Sequence, residues 1–315
     1  MHSYGYAGGL AGNPRAERIG VYDRDAEAAK KFSETFGVPL FDTPESLVKA
    51  VDAVIITSEN KLHAEYGELA ATYGKHILCE KPLVTSEAEG KRLMEAVNTA
   101  GVKLMTAFPC RYSPAFKRLQ QRVANDEIGK IVALCTTNRG SCPFSWFVET
   151  EKSGGGAMID HTVHVTDLLR ALLKEEPVLV EAQIGNNMYH QGWEDTAMLT
   201  LTFESGIFAS LDSSWSRPKS YKTWGDVTMN VVGERGVIEL DMFGPSLDFY
   251  SNDSMKFASA GFGSNLDEGL VSDFLRCIEE DTVPAVTGFD GLQAARVAMA
   301  GYESARLGQP VAVRA

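Results

Sequence analysis

The sequence predicts an α/β chain in two parts. The N-terminal part is a parallel sheet that lacks its first strand. The C-terminal part is an α+β domain with a large open, mostly antiparallel sheet. Three observations lead there. Up to about residue 107, short apolar strands alternate with helical segments, the pattern of a parallel sheet covered on both faces. After about residue 125, strands follow one another through turns such as Glu204-Ser205-Gly206 and Gly233-Glu234-Arg235-Gly236, the rhythm of an antiparallel sheet. A glycine-rich stretch also opens the chain with no room for a strand before it. The expected domains are residues 1–108 and 109–315.

In chain order, the first stretch to settle is GYAGGLAG at residues 5–12. A dinucleotide-binding loop of the Rossmann type needs a strand leading in and a helix leading out, with an acidic residue about 20 positions on. Only four residues precede Gly5, too few for a strand of ordinary length. Residues 13–17 are too few for a crossover helix, and Asn13-Pro14 reads as a turn. Residues 2–11 are therefore expected to be the crossover helix itself, the strand and loop before it being missing from this chain. A strand at 18–22 (RIGVY) ends at Asp23, and a helix covers 26–36. DAVIIT at 52–57 is a buried strand, and a helix at 61–73 begins where Asn60 could cap it. A strand at 76–79 precedes a helix at 86–100, opened by Ser86 and closed by Gly101, and then a strand at 103–107. In the second part, strands are expected at 131–138, 178–185, 197–203, 207–213, 227–232 and 237–240. One helix at 157–173 interrupts them, and helices at 266–279 and 288–307 close the chain.

Composition narrows the function. Hydrophobic residues make up 44% and charged residues 23%, as in an ordinary globular protein. No run of 18 apolar residues exists to span a membrane, and no export signal is evident. A net charge of −12 repels phosphate backbones, which argues against nucleic acid as a partner. Five cysteines, an odd number without a CxxC pair, fit a reduced cytoplasmic protein with no metal site.

Two stretches carry chemistry. CEKPL, residues 79–83, follows a parallel strand at the end where ligands bind in open α/β folds. Lys81 there can hold a substrate hydroxyl, with Pro82 setting its direction; a solvated surface turn is the plain alternative. The second stretch is GGGAMIDHTVHVTDLL, residues 154–169. Asp160 and His164 share a helix face at i and i+4, Asp167 continues it, and Leu168, Leu169 and Leu172 mark the core side. A histidine beside a carboxylate suits a general base near neutral pH, against the plainer reading of an ordinary polar face. His161 points elsewhere and reads as structural. The three glycines allow a backbone or a ligand to come close.

Taken together, Glu80-Lys81-Pro82 followed by GGG-x3-Asp-x3-His-x2-Asp resembles the Gfo/Idh/MocA oxidoreductase family. Supporting stretches are SENKLHAEYGELAATYGKHILCEKPL, RYSPAF, IGKIV, EDTAMLTLTFESGIFASLDSSW, GERGVIEL and YESARLGQPVAV. The resemblance implies an NAD(P)-dependent dehydrogenase acting on a secondary alcohol of a sugar, cyclitol or related polyol. By it, Lys81 matches the catalytic lysine, His164 the base, and Asp160 its acidic partner, the three converging on one alcohol carbon. Ser58, Asn60, His63, Glu80 and Arg111 fall beside the cofactor, Glu59 standing where proline is usual, and Tyr112 beside the substrate. Asp23 falls where the adenosine ribose binds, favouring NAD, while Arg24 next to it leaves NADP open. Trp146, Phe147, Arg139, Trp193 and Trp215 are candidates to line a sugar pocket, each with a core reading as its alternative. A homodimer or homotetramer through the C-terminal sheet is implied as well. The start departs from the family, which opens on a strand and GxGxxG. The expectation is an internal methionine of a longer protein; the alternative is a non-catalytic ligand-binding or regulatory protein with a defective dinucleotide site.

Overall fold

The computed structural model describes residues 2–11, 13–16, 20–244, 246–251, 256–261, 263 and 265–313. In chain order the first elements are α1 (His2–Leu10), α2 (Ala26–Phe36), α3 (Pro44–Ala50), β1 (Ala53–Ile56), α4 (His63–Thr72), β2 (His76–Cys79), α5 (Glu87–Ala100) and β3 (Leu104–Thr106). Then come α6 (Pro114–Ala124), β4 (Ile131–Arg139), α7 (Thr150–Ser153), α8 (Ala157–Leu173), β5 (Pro177–Gly185), β6 (Thr196–Phe203) and β7 (Phe208–Ser214). The chain closes with β8 (Thr228–Gly233), β9 (Val237–Asp241), β10 (Ser246–Ser251), β11 (Lys256–Gly261), α9 (Leu266–Glu279), α10 (Gly288–Leu307) and β12 (Val311–Ala312). Two compact units form. The first comprises Met1–Pro109, Ser145–Gly154 and Leu266–Arg296; the second comprises Cys110–Phe144, Gly155–Asn265 and Val297–Ala315.

In the first unit, β1, β2 and β3 form a parallel sheet in that order. Ile77, Leu78 and Cys79 are all fully buried, so β2 is covered on both faces, as its unbroken apolar run requires. The strand expected at 18–22 lies partly outside the described residues. Arg18 and Ile19 lie outside the described residues, and Val21 makes a single parallel bridge to Leu40, apart from the three-stranded sheet. Among the described residues no strand precedes α1.

The helices start and stop for local reasons. Asp25 caps α2 by accepting from Glu27 N and Ala28 N, and Gly37 ends it in the left-handed region at φ 64°. Ser86 accepts from Glu89 N to open α5. Thr43 and Ser46 cap α3 reciprocally, with Pro44 in its first turn. Asn60 is no cap: residues Asn60–Leu62 form a 3-10 turn ahead of α4, and the Asn60 amide is engaged elsewhere.

In the second unit a seven-stranded sheet runs in the order β12-β5-β6-β7-β4-β8-β9. Every adjacent pair is antiparallel except β4 with β7. Leu199, Leu201, Ala209, Leu211, Leu134 and Val231 alternate onto one buried face. Helix α8 packs on that side, where Thr162 Oγ1 donates to Ser213 Oγ of β7 at 3.0 Å. The other face carries exposed Leu179, Met198 and Phe208 among threonines and charged groups. β10 and β11 pair as a separate antiparallel hairpin.

Candidate functional site

The first set of residues sits at the carboxyl ends of β1 and β2. Glu80 follows β2 and is buried. Its Oε2 accepts Lys81 N at 3.0 Å, and its Oε1 accepts the Tyr6 hydroxyl of α1 and lies 3.6 Å from His2 Nδ1. Burial, with the Glu80 charge adding to it, pushes the Tyr6 hydroxyl well above the usual phenol value. Lys81 is only 7% exposed and precedes Pro82 through a cis peptide bond. The Pro82 carbonyl lies 2.8 Å from His63 Nδ1, and the Ser58 carbonyl lies 3.2 Å from His63 Nε2. Burial pulls the fully buried His63 below its ordinary value, against the two carbonyls that favour its charged form. Asn60 donates its amide to Ser153 O at 2.8 Å, and Ser58 Oγ donates to Glu59 O. Asn60 and His63 thus hold backbone in place: His63 ties the loop after β1 to the turn that aims Lys81.

Asp23 and Arg24 are both exposed at the entry to α2, where Asp25 N donates to Asp23 Oδ1 at 3.0 Å. Trp146 belongs to the first unit and is half-buried, its ring stacked on Phe147 at 3.9 Å.

The second set is built on α8. The polar face expected along this helix is not a solvent face. Asp160 is 5% exposed, His164 7% and Asp167 0%. Asp167 is engaged by Arg111 through two parallel hydrogen bonds, Nε to Oδ2 at 2.7 Å and Nη2 to Oδ1 at 2.8 Å. Tyr112, next to Arg111, is half-buried under the Lys117 ammonium, 5.5 Å from its ring centre. His161 does not point away from Asp160. Its Nδ1 lies 2.8 Å from Asn138 O, which can only accept, and its Nε2 lies 3.2 Å from Asp160 Oδ2. Asp160 Oδ2 also accepts Trp215 Nε1 at 3.0 Å.

The glycines before α8 have a structural occupant. Gly156 supplies no side-chain cap, and Glu194 reaches in from the loop before β6 instead. Its Oε1 accepts Gly156 N at 2.6 Å and Met158 N at 3.4 Å, and its backbone carbonyl accepts Ala157 N at 3.1 Å. The Tyr302 hydroxyl donates to the same Oε1 at 2.5 Å. A Cβ on Gly156 would lie 2.2 Å from Glu194 O, and one on Gly155 would lie 1.9 Å from the Tyr302 hydroxyl. The helix end is therefore neutralised by a carboxylate from distant sequence.

Two candidates for lining a pocket have partners of their own. Trp215 is 0% exposed and faces Asp160 from the core. Arg139 follows Asn138 on β4 and so projects to the opposite face, where its Nε donates to Asp226 Oδ2 at 3.0 Å. Trp193 is half-buried between Tyr189 and Trp215, with ring centres 5.5 Å away on each side. Sequence reasoning overlooked Glu194 and Tyr302. The only hint was the pair Glu194-Asp195 at a strand start, acidic where alternation calls for neither.

Residues 4–108 match the family described as "Oxidoreductase family, NAD-binding Rossmann fold", and residues 116–239 match the "GFO/IDH/MocA C-terminal domain". The chain is 32% identical to the uncharacterized oxidoreductase YrbE of Bacillus subtilis (strain 168), over 84% of this chain and 78% of that protein. It is 29% identical to the myo-inositol 2-dehydrogenase of Thermotoga maritima, over 90% of this chain and 87% of that protein. The solved structure of a probable dehydrogenase from Thermotoga maritima is similar at a TM-score of 0.86 and 26% identity, covering 99% of this chain and 96% of its own.

Proposed function

The chain belongs to the Gfo/Idh/MocA oxidoreductase family, and on that premise we propose that it transfers a hydride between a nicotinamide cofactor and a secondary alcohol of a sugar, cyclitol or related polyol. The observation that carries the reading is burial. Lys81, Asp160 and His164 are each at most 7% exposed, and buried ionisable groups of these types concentrate at functional sites.

The residues present fit a dinucleotide in part. The exposed Asp23 carboxylate suits the adenosine ribose hydroxyls and repels a 2′-phosphate, which favours NAD; Arg24 beside it keeps NADP open. Ser58, Glu80 and Lys81 stand at carboxyl ends of parallel strands, the edge such cofactors use. No described residue is assigned to the pyrophosphate. When bound, the nicotinamide supplies the hydride acceptor or donor. Lys81 donates a hydrogen bond to the substrate oxygen and stabilises negative charge there as its proton leaves. His164 takes that proton, and Asp160, one helical turn earlier, binds a neighbouring hydroxyl or orients the imidazole. Asn60, His63 and Arg111 act by holding the backbone and helix that present these groups. Tyr112 and Trp146 are assigned to the substrate side.

We assign cofactor binding to residues 1–108 and substrate binding and assembly to residues 109–315. The exposed sheet face bearing Met198 and Phe208, 54% and 52% exposed, suits cover by a second copy, giving a homodimer or homotetramer. Among the described residues no helix is long and apolar enough to cross a membrane. Five free cysteines suit a reducing cytoplasm. The test is turnover at 340 nm across a panel of sugars and inositols with NAD and NADP, beside an NADH fluorescence titration. NADH binding with oxidation of at least one polyol is the expected result; a chain that binds neither dinucleotide overturns the reading.

A further inference from the structure

Within this unit the indole of Trp215 has one polar contact of consequence. Its Nε1 donates to Asp160 Oδ2 at 3.0 Å, and the side chain is 0% exposed, so water offers no substitute acceptor. The backbone of Trp215 is held as well: its N–H donates to Asp195 O at 2.8 Å. Asp195 is itself pinned, its Oδ2 accepting Met188 N at 3.0 Å and Tyr189 N at 2.8 Å. Its neighbour Glu194 caps the first turn of α8. One dipeptide, Glu194-Asp195, therefore fixes α8 twice: directly at its N-terminus, and through Trp215 at the carboxylate of Asp160 one turn in.

We propose that Trp215 is a positioning residue for the dehydrogenase reaction, acting through Asp160: its indole N–H fixes the orientation of the Asp160 carboxylate toward the substrate. This rests on the function proposed above. A charge-assisted hydrogen bond of this kind, lost at a catalytic carboxylate, corresponds to about a tenfold to a hundredfold loss of rate.

The test combines a spectroscopic and a kinetic readout on the full chain. The chain has four tryptophans, so four indole N–H resonances are expected in an 15N-tryptophan spectrum. That of Trp215 is assigned by elimination with Trp146→Phe, Trp193→Phe and Trp224→Phe. In Asp160→Asn the Trp215 resonance should move upfield by more than any other, whether or not the chain is active. Trp215→Phe should lower kcat by about tenfold or more while leaving the Kd for NADH unchanged. The double variant Trp215→Phe/Asp160→Asn should be no slower than Asp160→Asn alone. A Trp215 resonance indifferent to Asp160→Asn overturns the proposal, even if Trp215→Phe fails to fold. So does a Trp215→Phe enzyme with kcat within about twofold of wild type, or losses that multiply in the double variant. A wild type inactive on every polyol overturns the dehydrogenase reading and the kinetic half with it, a failure told apart by an indole resonance that still responds.

Discussion

Removing the Glu194 side chain should loosen the helix that carries Asp160 and His164. In Glu194→Ala, Gly156 N loses its nearer acceptor at 2.6 Å and keeps the Tyr302 hydroxyl at 3.2 Å, Met158 N loses its acceptor at 3.4 Å, and the Tyr302 hydroxyl loses its acceptor at 2.5 Å. The backbone contact from Ala157 N to Glu194 O survives. A buried hydroxyl left without its acceptor costs ~1–3 kcal/mol. Loss of a partly buried negative charge at a helix N-terminus costs up to ~2 kcal/mol. Together, allowing for overlap between the two, about 3 kcal/mol is expected. For a chain of 315 residues each kcal/mol is worth roughly 1.5 °C, so Tm should fall by about 4–5 °C. Glu194→Gln keeps an acceptor but not the charge, and should cost about 1 kcal/mol. Gly156→Ala should be at least as damaging as Glu194→Ala, since its Cβ would meet a backbone oxygen at 2.2 Å. Calorimetry with circular dichroism measures all three. If Glu194→Ala melts within about a degree of wild type, the idea of a carboxylate cap supplied from distant sequence is wrong.

Acid should destabilise the fold before carboxylates titrate. Burial holds His63 below the usual histidine value of 6.5, and His76 is shifted the same way, burial again leading. The unfolded chain then binds more protons below pH 6.5, so stability is full above that pH and declines as pH falls through it toward the lower folded values. His63→Gln should flatten that part of a Tm-against-pH curve; an unchanged slope between about pH 5 and 6.5 counts against it. Asp167→Asn removes the negative charge and one of the two acceptors that face Arg111, and should cost ~3 kcal/mol, read by urea unfolding; a cost below ~1 kcal/mol would show the pair to be dispensable. Met198→Glu/Phe208→Glu should reduce the mass measured by light scattering to that of one chain; an unaltered assembly would place the interface elsewhere.

Helices with local caps were legible in the sequence. The span Ala26–Phe36 was set by its own composition, and Ser86 and Gly101 marked α5 at both ends. Ala157–Leu173 followed from its apolar spacing, and the face shared by Asp160, His164 and Asp167 followed with it. That this face is buried was not legible, because it depends on Trp215 and Arg111, which lie 55 and 56 residues away from their partners. Asn60 misled for the same reason: its amide serves Ser153 O, 93 residues on, rather than its own helix. Of the stretch expected as a strand at 18–22, Val21 bridges Leu40 among the described residues, a pairing that no local pattern announced. Helices α3 and α6 were not legible because each starts at a proline, which reads first as a turn. The glycines at 154–156 announced a close approach without naming what approaches. Beyond the acidic pair at a strand start, nothing local distinguishes Glu194 as a capping carboxylate from a solvated one, and nothing local marks Tyr302.

The central claim, a hydride-transferring enzyme whose base is His164, is tested most directly by NADH formation at 340 nm in wild type and His164→Ala on the best polyol of the panel. Wild type should form NADH stoichiometrically, and kcat should be lower by about a hundredfold to ten-thousandfold in His164→Ala with NADH affinity retained. A His164→Ala enzyme as fast as wild type would contradict it.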